Sequence, residues 1–184
     1  FEFFRFFEHF KKIANSNESI AIYLYNIPGR SVVNIDQMTM QKLSKIQNIV
    51  GVKDATSDLS LPMETLNNCG KSFVQLSGED STFLSFLING GHGCISVSAN
   101  VIPKLCSELY NNWISGNIKK AMEINNLIYP LNKVLFIESS PSPVKYALYL
   151  MNKCENELRL PLVGIHEDNH ESVRNVLKSL DLLS

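Results

Sequence analysis

One lysine placed late in an apolar run is the most reactive feature of this sequence. Residues 49–54 read Ile-Val-Gly-Val-Lys-Asp, and Lys53 is the only basic residue among them. A lysine in such a run is unfavourable unless it has a task or a partner. The task would be nucleophilic. A neutral amine attacks a carbonyl carbon to give an imine, and a desolvated interior disfavours the charged form that cannot attack. The alternative is that Lys53 pairs with an acid at the rim of a sheet. Side chains alternate along a strand, so Gly51 and Lys53 share one face and Val50 and Val52 the other. Gly51 would then leave open space beside the lysine stem.

Other groups gather near the ends of similar runs. Tyr25 closes the run 20–26 on the face it shares with Tyr23. A phenol beside an imine relays protons, although core filling with a hydrogen-bonded hydroxyl is the commoner role for a tyrosine in this pattern. Arg30 follows Pro28-Gly29 and could clamp a carboxylate with two parallel hydrogen bonds, or lie solvated in a loop. Gly78 and Ile95 carry little chemistry of their own. Glu79 and Asp80 suit the first turn of a helix. His92 sits in a Gly-rich turn on the opposite side and reads as structural. His9, His166 and His170 have no ligand-like spacing, so no metal is expected. The four cysteines, Cys69, Cys94, Cys106 and Cys154, form no C-x-x-C pair. They read as free thiols, which without an export signal fits a cytoplasmic protein.

These residues need strands to carry them. Runs at 20–26, 49–54, 72–77 and 93–97 are short, apolar and bounded by turn residues, and read as strands. Helical spacing lies between them at 36–46, capped by Asp36, at 61–68 with Pro62 in the first turn, and at 81–88. After residue 97 the strands stop, and helices are expected at 101–114, 118–135, 142–151 and 167–180. Strand-helix alternation argues for a parallel sheet. Open doubly wound sheets and half of an eight-stranded barrel both fit, and both put their sites at the carboxyl ends of the strands.

Length and charge narrow the class. The chain has 184 residues, of which 45% are hydrophobic, and a formal net charge of -1. That is enough for one core and a small second module, without the basic excess of a nucleic-acid binder. No apolar run is long enough to cross a bilayer. The aromatic opening, Phe1-Glu2-Phe3-Phe4-Arg5-Phe6-Phe7, is broken by charges and does not read as a signal peptide.

Taken together the segments resemble the dihydrodipicolinate synthase family. Tyr25-Asn26-Ile27-Pro28-Gly29-Arg30 stands where that family has Y-N-x-P-x-R. Gly51-Val52-Lys53-Asp54-Ala55-Thr56 is similar to its G-[IV]-K-[DE]-A-[TS]. Leu76-Ser77-Gly78-Glu79-Asp80 and Gly90-Gly91-His92-Gly93-Cys94-Ile95-Ser96-Val97 follow in the same order. Pro141-Ser142-Pro143-Val144-Lys145 and Leu158-Arg159-Leu160-Pro161-Leu162 resemble its helical tail.

The resemblance implies the C-terminal half of a TIM (β/α)8 barrel. Residues 1–115 would hold its last four β/α units, and residues 116–184 a C-terminal helical domain. It implies a Schiff-base lyase of lysine and diaminopimelate biosynthesis. Lys53 would condense with pyruvate, and the resulting enamine would attack aspartate 4-semialdehyde. Tyr25 resembles the proton-relay tyrosine and Arg30 the arginine that holds the aldehyde's carboxylate. Gly78 and Ile95 match positions lining the pyruvate pocket. No cofactor is implied, and homo-oligomers are common in the family. N-acetylneuraminate lyase-type aldolases share the Tyr and Lys motifs but usually lack the arginine.

A complete barrel needs eight β/α units, and four are counted here, so the chain reads as a truncated product or part of a longer one. The other reading is a non-catalytic remnant, since half a barrel leaves two parallel edges unpaired.

Overall fold

The computed structural model describes residues 2–183, with side chains from Phe4 onward; Phe1 lies outside the described residues. The chain divides into two compact units, residues 1–95 and 96–184.

In the first unit helix α1 (Glu2–Ser16) precedes strand β1 (Ile22–Asn26) and the short helix α2 (Pro28–Ser31). Helix α3 (Gln37–Leu43), strand β2 (Ile49–Asp54), helix α4 (Leu61–Cys69) and strand β3 (Val74–Ser77) follow. Helix α5 (Phe83–Ile88) and strand β4 (Gly93–Cys94) complete the unit. All neighbouring strands are parallel, in the sequential order β1-β2-β3-β4. This is what short crossovers through α3, α4 and α5 dictate.

Alternation divides the sheet into two chemically distinct faces. Leu24, Asn26, Val52, Gln75 and Ser77 point to one side and are buried. Leu24 and Val52 pack there with Ile35, Met40, Leu43, Ile49 and Phe73. Tyr23, Tyr25 and Lys53 point to the other side, where both tyrosines are nearly half exposed. The register between β1 and β2 is irregular at one place. Ile22 pairs with Ile49, but Tyr23 pairs with Gly51, so Val50 is passed over.

Local signals account for most boundaries. Asp36 caps α3, its carboxylate accepting from the Thr39 N–H at 3.0 Å. Pro62 lies in the first turn of α4, where its missing N–H costs nothing. Glu79 accepts from the N–H and hydroxyl of Ser81 at 3.0 and 2.7 Å and so caps the turn that leads into α5. Helix α1 and the single turn of α2 are not among the helices expected from the sequence. The aromatic crowding of α1 is amphipathic: Phe6, Phe7, Phe10 and Ala14 recur at helical spacing and pack onto the first unit's core.

β4 is shorter than the five residues expected from the sequence. Beyond Cys94 the Ile95 N–H continues the ladder, to Ser77 O at 2.9 Å. Ser96 Oγ then accepts from the Ala99 N–H at 2.8 Å and turns the chain. A serine side chain here competes with the strand for backbone groups.

The second unit is helical: α6 (Pro103–Ile114), α7 (Ile118–Val134), α8 (Ser142–Leu150) and α9 (His170–Ser179). Leu109, Ala121, Ile124, Ile128, Leu131, Leu135, Val173 and Leu177 are buried within it. The start of α9 is tied by Glu138, which accepts from the His166 N–H and from Asn169 Nδ2, both at 2.7 Å. These donors hold its carboxyl below the usual carboxylate range. Among the described residues no helix is long and apolar enough to cross a membrane.

Candidate active site

Parallel register places Tyr25 directly beside Lys53, and Lys53 beside Leu76. Paired residues of parallel strands share a face, so the phenol and the amine emerge together on the open side of the sheet. Lys53 Nζ lies 4.2 Å from the centroid of the Tyr25 ring, within cation–π range. The lysine is half-buried and Tyr25 is 47% exposed. Among the described residues Lys53 forms no ion pair. Its neighbour Asp54 points to the opposite face, so the rim acid that would explain the lysine structurally is turned away from it.

Space beside the lysine comes from a different glycine than expected. A Cβ on Gly51 would overlap the carbonyl oxygen of Val74 and lie 2.7 Å from Tyr23 Cε1. The Tyr23 ring already occupies that position, so Gly51 does not open room for the stem. Gly78 does: a Cβ there would lie 3.0 Å from Lys53 Cε and 2.9 Å from Ala55 Cβ. Only a glycine lets the chain leaving β3 pass this close to the amine-bearing carbon chain. The Gly78 N–H is itself fixed by Asp54 O at 2.6 Å.

Ile95 follows β4 and is 48% exposed. Arg30 stands in α2, one turn beyond the end of β1, with an exposed side chain. Its N–H bonds Ile27 O at 2.9 Å. The turn closes at Val32 in the left-handed region (φ 64°). A β-branched residue in that conformation costs on the order of 1–2 kcal/mol, held here by the Val32 N–H bond to Pro28 O at 2.9 Å.

A polar set with no role expected from the sequence lies on the other face of the same strand ends. Asp54 Oδ1 accepts from Thr56 N at 3.0 Å and from Thr56 Oγ1 at 2.6 Å. Asn26 Nδ2 reaches Asp54 Oδ2 at 3.5 Å, and Asn26 Oδ1 accepts from the Ile35 N–H at 3.0 Å. Burial pushes the Asp54 carboxyl up, against the lowering effect of the Thr56 and Asn26 donors. The signal available in the sequence was an amide and an acid each closing an apolar run, Asn26 and Asp54; that the two stand in register is seen only in the structure. His92 is structural, as expected: its Nδ1 accepts from the Gln75 N–H at 3.1 Å and its own N–H returns to Gln75 O at 2.8 Å. Among the described residues no group of three His, Cys, Asp or Glu side chains could hold a metal ion.

Comparison with known proteins places this geometry. Residues 1–180 match the Dihydrodipicolinate synthetase family. The 4-hydroxy-tetrahydrodipicolinate synthase of Rhodospirillum centenum is 46% identical over 178 residues, covering 97% of this chain and 61% of that protein. The dihydrodipicolinate synthase of Thermotoga maritima superposes with a TM-score of 0.92 at 40% identity, covering 96% of this chain and 61% of its own. The chloride-inhibited enzyme of Acinetobacter baumannii, solved with pyruvate, gives 0.92 at 37% identity, with 96% and 60% covered. The chain thus spans about three fifths of the length of these relatives. Its parallel strands are the C-terminal half of a (β/α)8 barrel, followed by C-terminal helices. The chain belongs to the dihydrodipicolinate synthetase family.

Proposed function

We propose that this chain carries the lysine-bearing half of a pyruvate-dependent Schiff-base lyase, the 4-hydroxy-tetrahydrodipicolinate synthase activity of its relatives. The observation that carries this reading is Lys53 on the open sheet face, stacked on Tyr25 and running past Gly78, with no carboxylate paired to it among the described residues.

The chemistry follows from the amine. Lys53 Nζ attacks the keto carbon of pyruvate, and loss of water leaves an imine. Removal of a methyl proton gives an enamine, whose carbon attacks the aldehyde carbon of aspartate 4-semialdehyde. The amine of that substrate then closes on the imine carbon and releases Lys53. Tyr25 is the adjacent hydroxyl able to shuttle protons during these steps. Arg30, just past the end of β1, holds the carboxylate of the aldehyde substrate, a task suited to its planar fork. Gly78 and Ile95 line the pyruvate pocket. On this reading residues 1–115 supply barrel units and residues 116–184 the helical domain, in a cytoplasmic homo-oligomer.

Borohydride tests the central step. With pyruvate present, reduction should add one reduced pyruvate to the protein at Lys53, located by peptide mass spectrometry. Lys53→Ala should give no adduct. An adduct that survives Lys53→Ala, or forms on another lysine, would remove the assignment.

A further inference from the structure

The open face of the sheet carries Tyr25 and Lys53, and the covered face carries their immediate successors, Asn26 and Asp54. The two pairs are thus held by the same two strand ends, back to back. Asp54 joins three strands at that level. Its carboxylate meets Asn26 of β1 at 3.5 Å, it belongs to β2 itself, and its carbonyl accepts from Gly78, past β3, at 2.6 Å. The Ala55 N–H adds a bond to Asn26 O at 2.9 Å. We infer that Asp54 is a positioning residue: through Asn26 and Thr56 it fixes the ends of β1 and β2 so that the Tyr25 ring and the Lys53 amine stay in contact. The inference rests on the lyase reading for its purpose, but not for its geometry.

Donor and acceptor directions make the arrangement specific. Asn26 Oδ1 is occupied by the Ile35 N–H at 3.0 Å, so its amide group must present NH2 to Asp54. Thr56 presents its N–H and hydroxyl to the same carboxylate. All three groups facing the carboxylate therefore donate, and only a carboxylate accepts from all of them. Asn26 is 1% exposed, so water cannot replace a lost partner on its side. An amide at position 54 has to turn its NH2 toward either Asn26 or Thr56, setting donor against donor. A glutamate keeps two acceptor oxygens.

The test reads the Tyr25–Lys53 contact directly. Methylene protons of a lysine held over an aromatic ring resonate upfield of exposed lysines. In the full chain labelled with 13C-lysine, the Lys53 signal is identified by its loss in Lys53→Arg, and its displacement by collapse in Tyr25→Ala. Asp54→Asn should lose the displacement while other lysine signals and the far-ultraviolet circular dichroism stay unchanged. Asp54→Glu should restore it. If Asp54→Asn fails to fold, Thr56→Val, which removes the 2.6 Å hydroxyl bond to Asp54 and the 3.2 Å bond that the hydroxyl accepts from the Asp58 N–H but keeps the Thr56 N–H bond to Asp54, should give an intermediate displacement. Full displacement in folded Asp54→Asn or Thr56→Val overturns the inference, as does its absence from the unsubstituted chain. The borohydride reaction is run in parallel. Displacement without any pyruvate adduct rejects the lyase reading and leaves the positioning role standing. An adduct together with an undisturbed signal in Asp54→Asn does the reverse.

Discussion

Replacing Gly51 by alanine tests how tightly the strand bearing Lys53 is built. The added Cβ would overlap Val74 O and lie 2.7 and 2.9 Å from Tyr23 Cε1 and Cδ1. The Tyr23 ring can swing into the open side, since Tyr23 is 45% exposed. The Val74 carbonyl cannot, because Gly51 and Val74 are partners in the β2–β3 ladder. The strain therefore falls on backbone, and overpacking of this kind costs about 1–3 kcal/mol. Backbone involvement puts Gly51→Ala near the upper end. For a unit of this size each kcal/mol lowers Tm by roughly 4–8 °C, so a fall of about 10–20 °C is expected. Thermal melting by circular dichroism reads it, and faster amide exchange at Val52 and Leu76 locates it. Gly29→Ala is the matched control. Nothing lies within 4 Å of its Cβ, so its Tm should stay level or rise slightly as backbone freedom is removed. A Gly51→Ala protein that melts with the control would refute the claim that the sheet around Lys53 has no slack.

Two further outcomes follow from charge. Burial holds the Asp54 carboxyl above its ordinary 3.8, so folding favours its protonated form. That contribution is complete below 3.8 and is lost as pH rises through the folded-state value. Denaturant titrations should show the stability of the unsubstituted chain, relative to Asp54→Asn, falling as pH rises through that window; a pH-independent difference would contradict it. Glu138 has the opposite sign. Its carboxyl is held low, first by Asn169 and then by the His166 N–H. Its contribution is present above the ordinary value of 4.5 and lost as pH falls through the lowered one. Glu138→Gln should therefore speed amide exchange in α9 at neutral pH and have little effect in acid; equal exchange in both proteins at neutral pH would contradict it.

The strands and their parallel sense were legible because compact apolar runs and Gly or Pro boundaries coincide with the crossovers, but their order in the sheet was not, since a doubly wound sheet has the same alternation. Lys53 stood out because a lone base in such a run has few physical justifications. The α1 helix was hidden by its composition, since Phe6, Phe7 and Phe10 show their common face only once there is a core to receive them. The role of Gly51 was misread for a related reason. Which glycine borders a side chain depends on neighbouring strands, and a one-strand view assigns Lys53 the glycine two residues before it. Tyr23 fills that place from β1, and Gly78 approaches from beyond β3. Asn26 and Asp54 were visible as letters, but their pairing exists only in the register.

That register has a phase, and Val50 sets it. Had β1 and β2 run without interruption from Ile22 and Ile49, Tyr25 would stand opposite Val52, and Asn26 opposite Lys53. Skipping one residue advances β2 by a half-period of the pleat and brings phenol and amine to the same side. A slip that closed the irregularity by pairing Tyr23 with Val50 would leave the hydrophobic content of the strand untouched, yet it would separate the two groups by the thickness of the sheet.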